Sequence, residues 1–158
     1  MRAIELLLLA FDHALQHPWE SLAGAVHELQ PEEASWQPPA YATLDHDVGV
    51  GKPGTVLWYL NHLQHCHRHY TAVLQSRPVT QSPDTPPSGE QPLEEALKAV
   101  TQATAGLRAQ IALLTDAELD QPCTDKSKVA EFLAGVVRHI SWHAGQIATL
   151  RRLYRAGK

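Results

Sequence analysis

Two histidines, His139 and His143, stand four residues apart in the stretch "VVRHISWHAGQI", which otherwise has the spacing of a buried apolar helix stripe. At about 100° per residue, Phe132, Val136, His139, His143, Ile147, Leu150 and Tyr154 share an arc of roughly 90°, with the two imidazoles in its middle. Gln146 joins them a turn later, while Arg138, Arg151 and Arg152 project outside the arc. Side chains at i and i+4 leave one helix face about a turn apart, so both can reach a single ion. A third imidazole from a neighbouring helix would leave one coordination position open for water or substrate.

A second histidine-bearing run, "VLWYLNHLQHCHRHY", spans Val56 to Tyr70. The same projection puts Trp58, Tyr59, His62, Cys66, His69, Tyr70 and Val73 on the inward side, with Asn61, Gln64, Arg68 and Thr71 opposite. His67 falls near the edge and His65 on the flank. An imidazole buried without partners costs on the order of 1–3 kcal/mol per unsatisfied group, so several facing one another require an explanation. A shared metal ion is one; hydrogen bonding within the core and haem binding are the others.

Neutral imidazoles suit zinc, nickel, cobalt or iron, with zinc favoured by availability. An open position on such an ion lowers the pKa of water toward about 7 or holds a thiol as thiolate, which makes hydrolysis and thiol transfer the two chemistries to weigh. No inward carboxylate near these histidines offers a general base, which counts against hydrolysis. No side chain is singled out as catalytic beyond the ligands.

The elements that must position these groups are helical. Four segments carry helical periodicity and none alternates long enough for a strand, so the expected class is an all-α four-helix bundle. The first segment runs from about Arg2 to Leu29, with a bend near His17 because Pro18 cannot donate an interior helix bond. The second runs from about Thr55 to Gln75, after a Pro/Gly-rich loop, "QPPAYATLDHDVGVGKPG", that is either a lid or a plain connector. "RPVTQSPDTPPSGEQP" then forms an extended linker between the second and third helices, long enough for a crossover along the bundle. The third segment, Leu93 to Leu114, presents one apolar stripe without chemical groups. Thr115 and Glu118 form a capping-box pattern ahead of the fourth helix, about Lys128 to Arg155.

With 158 residues, 44% of them apolar, and a formal net charge of −4, the chain has the composition of one globular domain, residues 1–158. Its cations are scattered, which argues against nucleic acid, and no stretch approaches the roughly 20 apolar residues of a membrane span. "MRAIELLLLAFDHALQ" reads as an amphipathic helix rather than a secretory leader. Cys66 and Cys123 form no C-x-x-C pair, so a reducing, cytoplasmic setting is expected. Leu60, Leu133 and Val137 lie off the main stripes and offer a face for a homodimer. Trp19, Trp36, Trp58 and Trp142 read as core and hairpin anchors, with Trp58 or Trp142 also able to wall a pocket.

"HISWHAGQI" resembles the C-terminal motif of the DinB/YfiT-like family, H-x-x-x-H-x-G-Q followed by an aliphatic residue. "LQPEEASWQP" is similar to the family's Leu-x-Pro-Glu-Glu-x-x-Trp connection, and "GTVLWYLNHLQHCHRHY" to its second helix. The resemblance implies a four-helix bundle that binds a divalent metal through three histidines, here His62, His139 and His143. His69 is the rival to His62, and Cys66, a turn after His62, is either a fourth ligand or a small hydrophobe. Gln146 would orient a ligand from outside the coordination shell. Ala144 and Trp142 depart from the usual motif, where a basic residue and a further histidine often stand.

Characterised relatives include S-transferases and isomerases that use bacillithiol, mycothiol or glutathione. The resemblance therefore implies a metal-dependent, transferase-like enzyme acting on a small molecule with a low-molecular-weight thiol. A non-catalytic metal- or haem-binding bundle, or a stress-associated binding module, is the competing expectation.

Overall fold

The structure is a computed structural model that describes residues 1–39, 41, 51–84 and 91–157. Its first helix, α1 (Ala3–Gln16), starts where the Asp116 carboxylate accepts hydrogen bonds from the Ala3 and Ile4 amides, each at 3.0 Å. The helix stops at His17, ahead of Pro18, which is the bend expected from the sequence. Two short helices follow rather than a continuation: α2 (Leu22–Val26), capped by the Ser21 hydroxyl, and α3 (Pro31–Ser35), which has proline in its first turn.

Three long helices complete the fold: α4 (Val56–Ser76), α5 (Leu93–Ala112) and α6 (Val129–Ala156). Each lies within about two residues of the span that periodicity predicts. The Thr55 hydroxyl caps α4 by accepting from the Trp58 amide at 3.1 Å. Before it, Gly54 has a φ of +76°, and a Cβ there would sit 2.5 Å from the Tyr41 ring, so both backbone and space require glycine. The Thr115/Glu118 capping box is present, but it opens a 3-10 turn at Asp116–Glu118 rather than α6. A hairpin of β1 (Pro122–Thr124) and β2 (Ser127–Lys128) then leads into α6. Strands of two and three residues are too short for alternation to register in a sequence.

Cross-helix pairs give the directions. Along α4 and α5, His67 meets Thr104 and Gln75 meets Gln110, so the two run parallel. Along α4 and α6, Tyr59 meets His143, His62 meets His139 and Tyr70 meets Phe132, so these run antiparallel. The chain between α4 and α5 must therefore return along the bundle, as the Pro/Ser-rich linker suggests; residues 85–90 of it lie outside the described ones. The lid reading of the loop before α4 falls mostly on residues 40 and 42–50, likewise outside them. No helix among the described residues is long and apolar enough to cross a membrane.

The buried face of α6 comprises Val129, Leu133, Val136, Ile140, His143, Ala144, Ile147, Leu150 and Arg151. This is rotated by about 45° from the predicted arc, which moves His139 to the rim of the core. On α4 the buried set includes Leu60, Leu63, His67 and Leu74, together with Asn61 and Gln64, which the projection placed outward. The reason is that α4 packs against α5 on one side and α6 on another, so a single inward direction does not describe it. Leu60 and Leu133 belong to the core and are not available as a dimer face; Val137 packs partly buried against the same core. Trp58 is buried, whereas Trp19 and Trp142 are 87% and 64% exposed and anchor nothing.

Arg151, expected outside, is buried because Glu33 of α3 waits for it. Its Nε lies 3.0 Å from the Glu33 carboxylate, and its Nη1 donates to the Ala25 carbonyl at 2.6 Å. Arg155 reaches the same carboxylate at 3.0 Å, and Trp36 packs edge-on against Tyr154 at 5.7 Å. The "LQPEEASW" connection is thus what docks the C-terminal turns of α6. Burial pushes the Glu33 carboxyl pKa up, but the two guanidinium groups outweigh it and hold the group below the ordinary carboxylate value. Breaking a buried pair from one side costs about 3–5 kcal/mol. Glu33→Ala should lose that much in urea unfolding at neutral pH. The depressed pKa makes the contribution full above the unfolded value near 4.5 and lost as pH falls through the lower folded value, so the gap between wild type and variant should close only in that acid range.

Candidate metal centre

The antiparallel packing of α4 on α6 sets His62 opposite the His139/His143 pair. His62 Nε2 lies 3.2 Å from His139 Nε2, which lies 3.0 Å from His143 Nε2. The His62 and His143 rings meet edge to face with centroids 4.9 Å apart. Two nitrogens bound at about 2.0–2.1 Å to a tetrahedral ion stand about 3.3–3.4 Å apart, so His139 Nε2 is spaced from each of the other two Nε2 atoms as a fellow donor to one ion would be.

The proton positions point the same way. His143 Nδ1 lies 2.6 Å from Gln146 Oε1, which only accepts; the proton is therefore on Nδ1, and the Nε2 lone pair faces the other imidazoles. Burial first, and then the positive charge that His62, His67 and Arg138 would add, push His139 down to about 4. It is a neutral imidazole at ordinary pH, the form in which a metal takes it. His62 is held by stacking on Trp58, with ring centroids 5.1 Å apart and planes inclined by 12°.

Cys66 adjoins this group. Its Sγ lies 3.5 Å from His62 Nε2, and the ligating atoms of His62, Cys66 and His139 are all within 4.8 Å of one another. Burial pushes the thiol up to about 11, against the opposing hydrogen bond from the Tyr70 hydroxyl. Without an ion it is a thiol.

Trp58, Tyr59, Trp142 and Gln146 join the three histidines around a recess of about 250 Å³. A shallower groove of about 440 Å³ continues from it past Trp142, Gly145 and Thr149 to Leu150. Among the described residues, neither is lined by a carboxylate or a cation. A larger recess of about 610 Å³ lies on another face of α6, beside Trp19 and Arg152, and none of these imidazoles lines it.

Of the residues singled out in the sequence, His62, His139, His143, Gln146 and Cys66 are brought together, and His69 is not. Its Nε2 sits 3.1 Å from the Ser82 hydroxyl, in a recess on the other side of Cys66 that Cys66, His65 and Asp84 also line and none of the three clustered imidazoles does. Two residues escaped the sequence reading. Tyr70 follows Cys66 by one turn and hydrogen-bonds to its sulfur, a relation that the i,i+4 spacing could have suggested. His67 is fully buried, with Nδ1 2.7 Å from the Thr104 hydroxyl of α5, and amphipathic phase gave no sign of it.

The family model described as the DinB superfamily matches residues 14–147, a span that includes every residue of this cluster. No curated protein and no solved structure matches the chain.

Zinc or cobalt added to chelator-treated protein should bind as one ion per chain, read by calorimetry and elemental analysis. His62→Ala, His139→Ala and His143→Ala should each abolish that binding, while His69→Ala should leave it intact. Gln146→Ala, which removes only the acceptor behind His143, should weaken it by about 10–100-fold.

Proposed function

The chain belongs to the DinB superfamily, and from that premise we propose that it is a divalent-metal-dependent enzyme that transfers a low-molecular-weight thiol to a small electrophile. His62, His139 and His143 hold the ion, zinc before nickel, cobalt or iron. The observation that carries this reading is the approach of His139 Nε2 to both His62 Nε2, at 3.2 Å, and His143 Nε2, at 3.0 Å. Among the described residues, nothing charged lines the recess beside them.

When bound, the ion would supply Lewis acidity, which favours the anion of a thiol, or of water, at neutral pH. The chain's own residues do the rest. Trp58 fixes the His62 ring by stacking, and Gln146 fixes the His143 tautomer, so the ligand lone pairs are already aimed. Tyr59 and Trp142 form an uncharged aromatic wall that suits a flat or apolar electrophile and sheds water from it. In the transfer, the thiol sulfur forms a bond to an electrophilic carbon, and the electron pair leaves with a halide or an opened epoxide oxygen. The thiol proton goes to that oxygen or to solvent. Transfer is favoured over hydrolysis because no carboxylate among the described residues lines the recess to act as a general base. The setting is cytoplasmic, with a small molecule as partner and neither nucleic acid nor membrane involved.

Zinc-loaded protein, offered a chlorinated aromatic or an epoxide with bacillithiol, mycothiol or glutathione in turn, should consume one of the thiols. Chelation and His139→Ala should each return the reaction to the uncatalysed rate. Trp142→Ala should raise KM for an aromatic electrophile by up to about tenfold, the worth of one aromatic contact, with little change in kcat. Turnover that survives chelation, or no consumption of any of the three thiols, would overturn the assignment.

A further inference from the structure

We propose that Cys66 is a fourth protein ligand, closing the three-histidine site as a set of three nitrogens and one sulfur. The inference rests on the reading of His62, His139 and His143 as ligands and adds to it a property of this chain's own sequence.

The geometry favours it in three ways. Cys66 follows His62 by one turn on α4, the same i,i+4 relation that brings His139 and His143 together on α6. A thiolate at about 2.3 Å and an imidazole nitrogen at about 2.0–2.1 Å on a tetrahedral ion lie about 3.6 Å apart; Cys66 Sγ and His62 Nε2 are 3.5 Å apart. The sulfur also has an outer partner, the Tyr70 hydroxyl, which donates to it. The Tyr70 ring is itself fixed edge-on between His139, at 5.8 Å, and Phe132, at 5.6 Å. A donor behind the sulfur is the arrangement that orients a metal-bound thiolate.

The other cysteine supplies the contrast. Cys123 is fully buried in the apolar core and serves as a small hydrophobe, whereas Cys66 is half-buried at the edge of the imidazole cluster. On binding, the sulfur–metal bond forms as the thiol proton leaves to solvent. With Cys66 as a ligand, a small thiol reaching the ion would have to compete with it.

Cobalt(II) tests this without reference to turnover. Added to chelator-treated wild type, it should give both the visible bands of a tetrahedral site and a near-ultraviolet sulfur-to-cobalt charge-transfer band. Cys66→Ala and Cys66→Ser should lose the near-ultraviolet band and keep visible absorption, while Cys123→Ala keeps both. Tyr70→Phe should retain the charge-transfer band but bind cobalt about 10–100-fold more weakly. Visible bands alone in the wild type, or a near-ultraviolet band that survives Cys66→Ala, would overturn the fourth ligand and leave the histidine site standing. No cobalt absorption in the wild type would overturn both.

Discussion

His62 reaches His139 because α4 and α6 run antiparallel in a register that also pairs Tyr59 with His143 and Tyr70 with Phe132. A slip of one residue would shift each side chain by about 1.5 Å and turn it by about 100°, which disperses the cluster. Most other features serve that register. At one end of α6, Glu33, Arg151, Arg155 and the Trp36–Tyr154 contact fix its last turns. At the other, the Val129 and Ala130 amides donate to the Gln121 and Leu119 carbonyls at 3.0 Å each, so the turn and hairpin set where the helix begins. On the far side of α4, His67 and Thr104 tie it to α5.

The helix α6 carries two kinds of buried polar group that answer the cost of burial differently. Arg151 is met by the Glu33 carboxylate and the Ala25 carbonyl. The imidazoles meet no such counter-charge in the recess among the described residues, and burial first of all holds His139 neutral. A neutral lone-pair donor without an anion beside it suits a cation, just as a guanidinium suits a carboxylate.

Much of this was legible in the sequence. Helix spans, the bend at Pro18 and the pairing of His139 with His143 follow from local rules of period and proline chemistry, and the structure has them. The choice of His62 over His69 rests on the family-like His-Leu context and on the place of His62 near the centre of the inward face, since the projection has both facing inward. Faces were harder to read. Arg151 looks solvent-exposed until Glu33, distant in sequence, is brought against it, and Asn61 and Gln64 look outward until α5 and α6 enclose α4. Tertiary pairing of that kind has no signature in a single periodicity. The hairpin at Pro122–Lys128 was missed because strands this short carry no alternation.

The cap on α1 links distant parts of the chain. Because Asp116, in the turn after α5, accepts from the Ala3 and Ile4 amides, the first turn of the first helix is satisfied by a residue from the second half of the sequence. A helix of fourteen residues is marginal by itself, so its start is stable only while that turn stays in place. In hydrogen-exchange terms, opening of the Asp116–Glu118 turn would free the Ala3 and Ile4 amides, which couples the protection of the first turn of α1 to the second half of the chain.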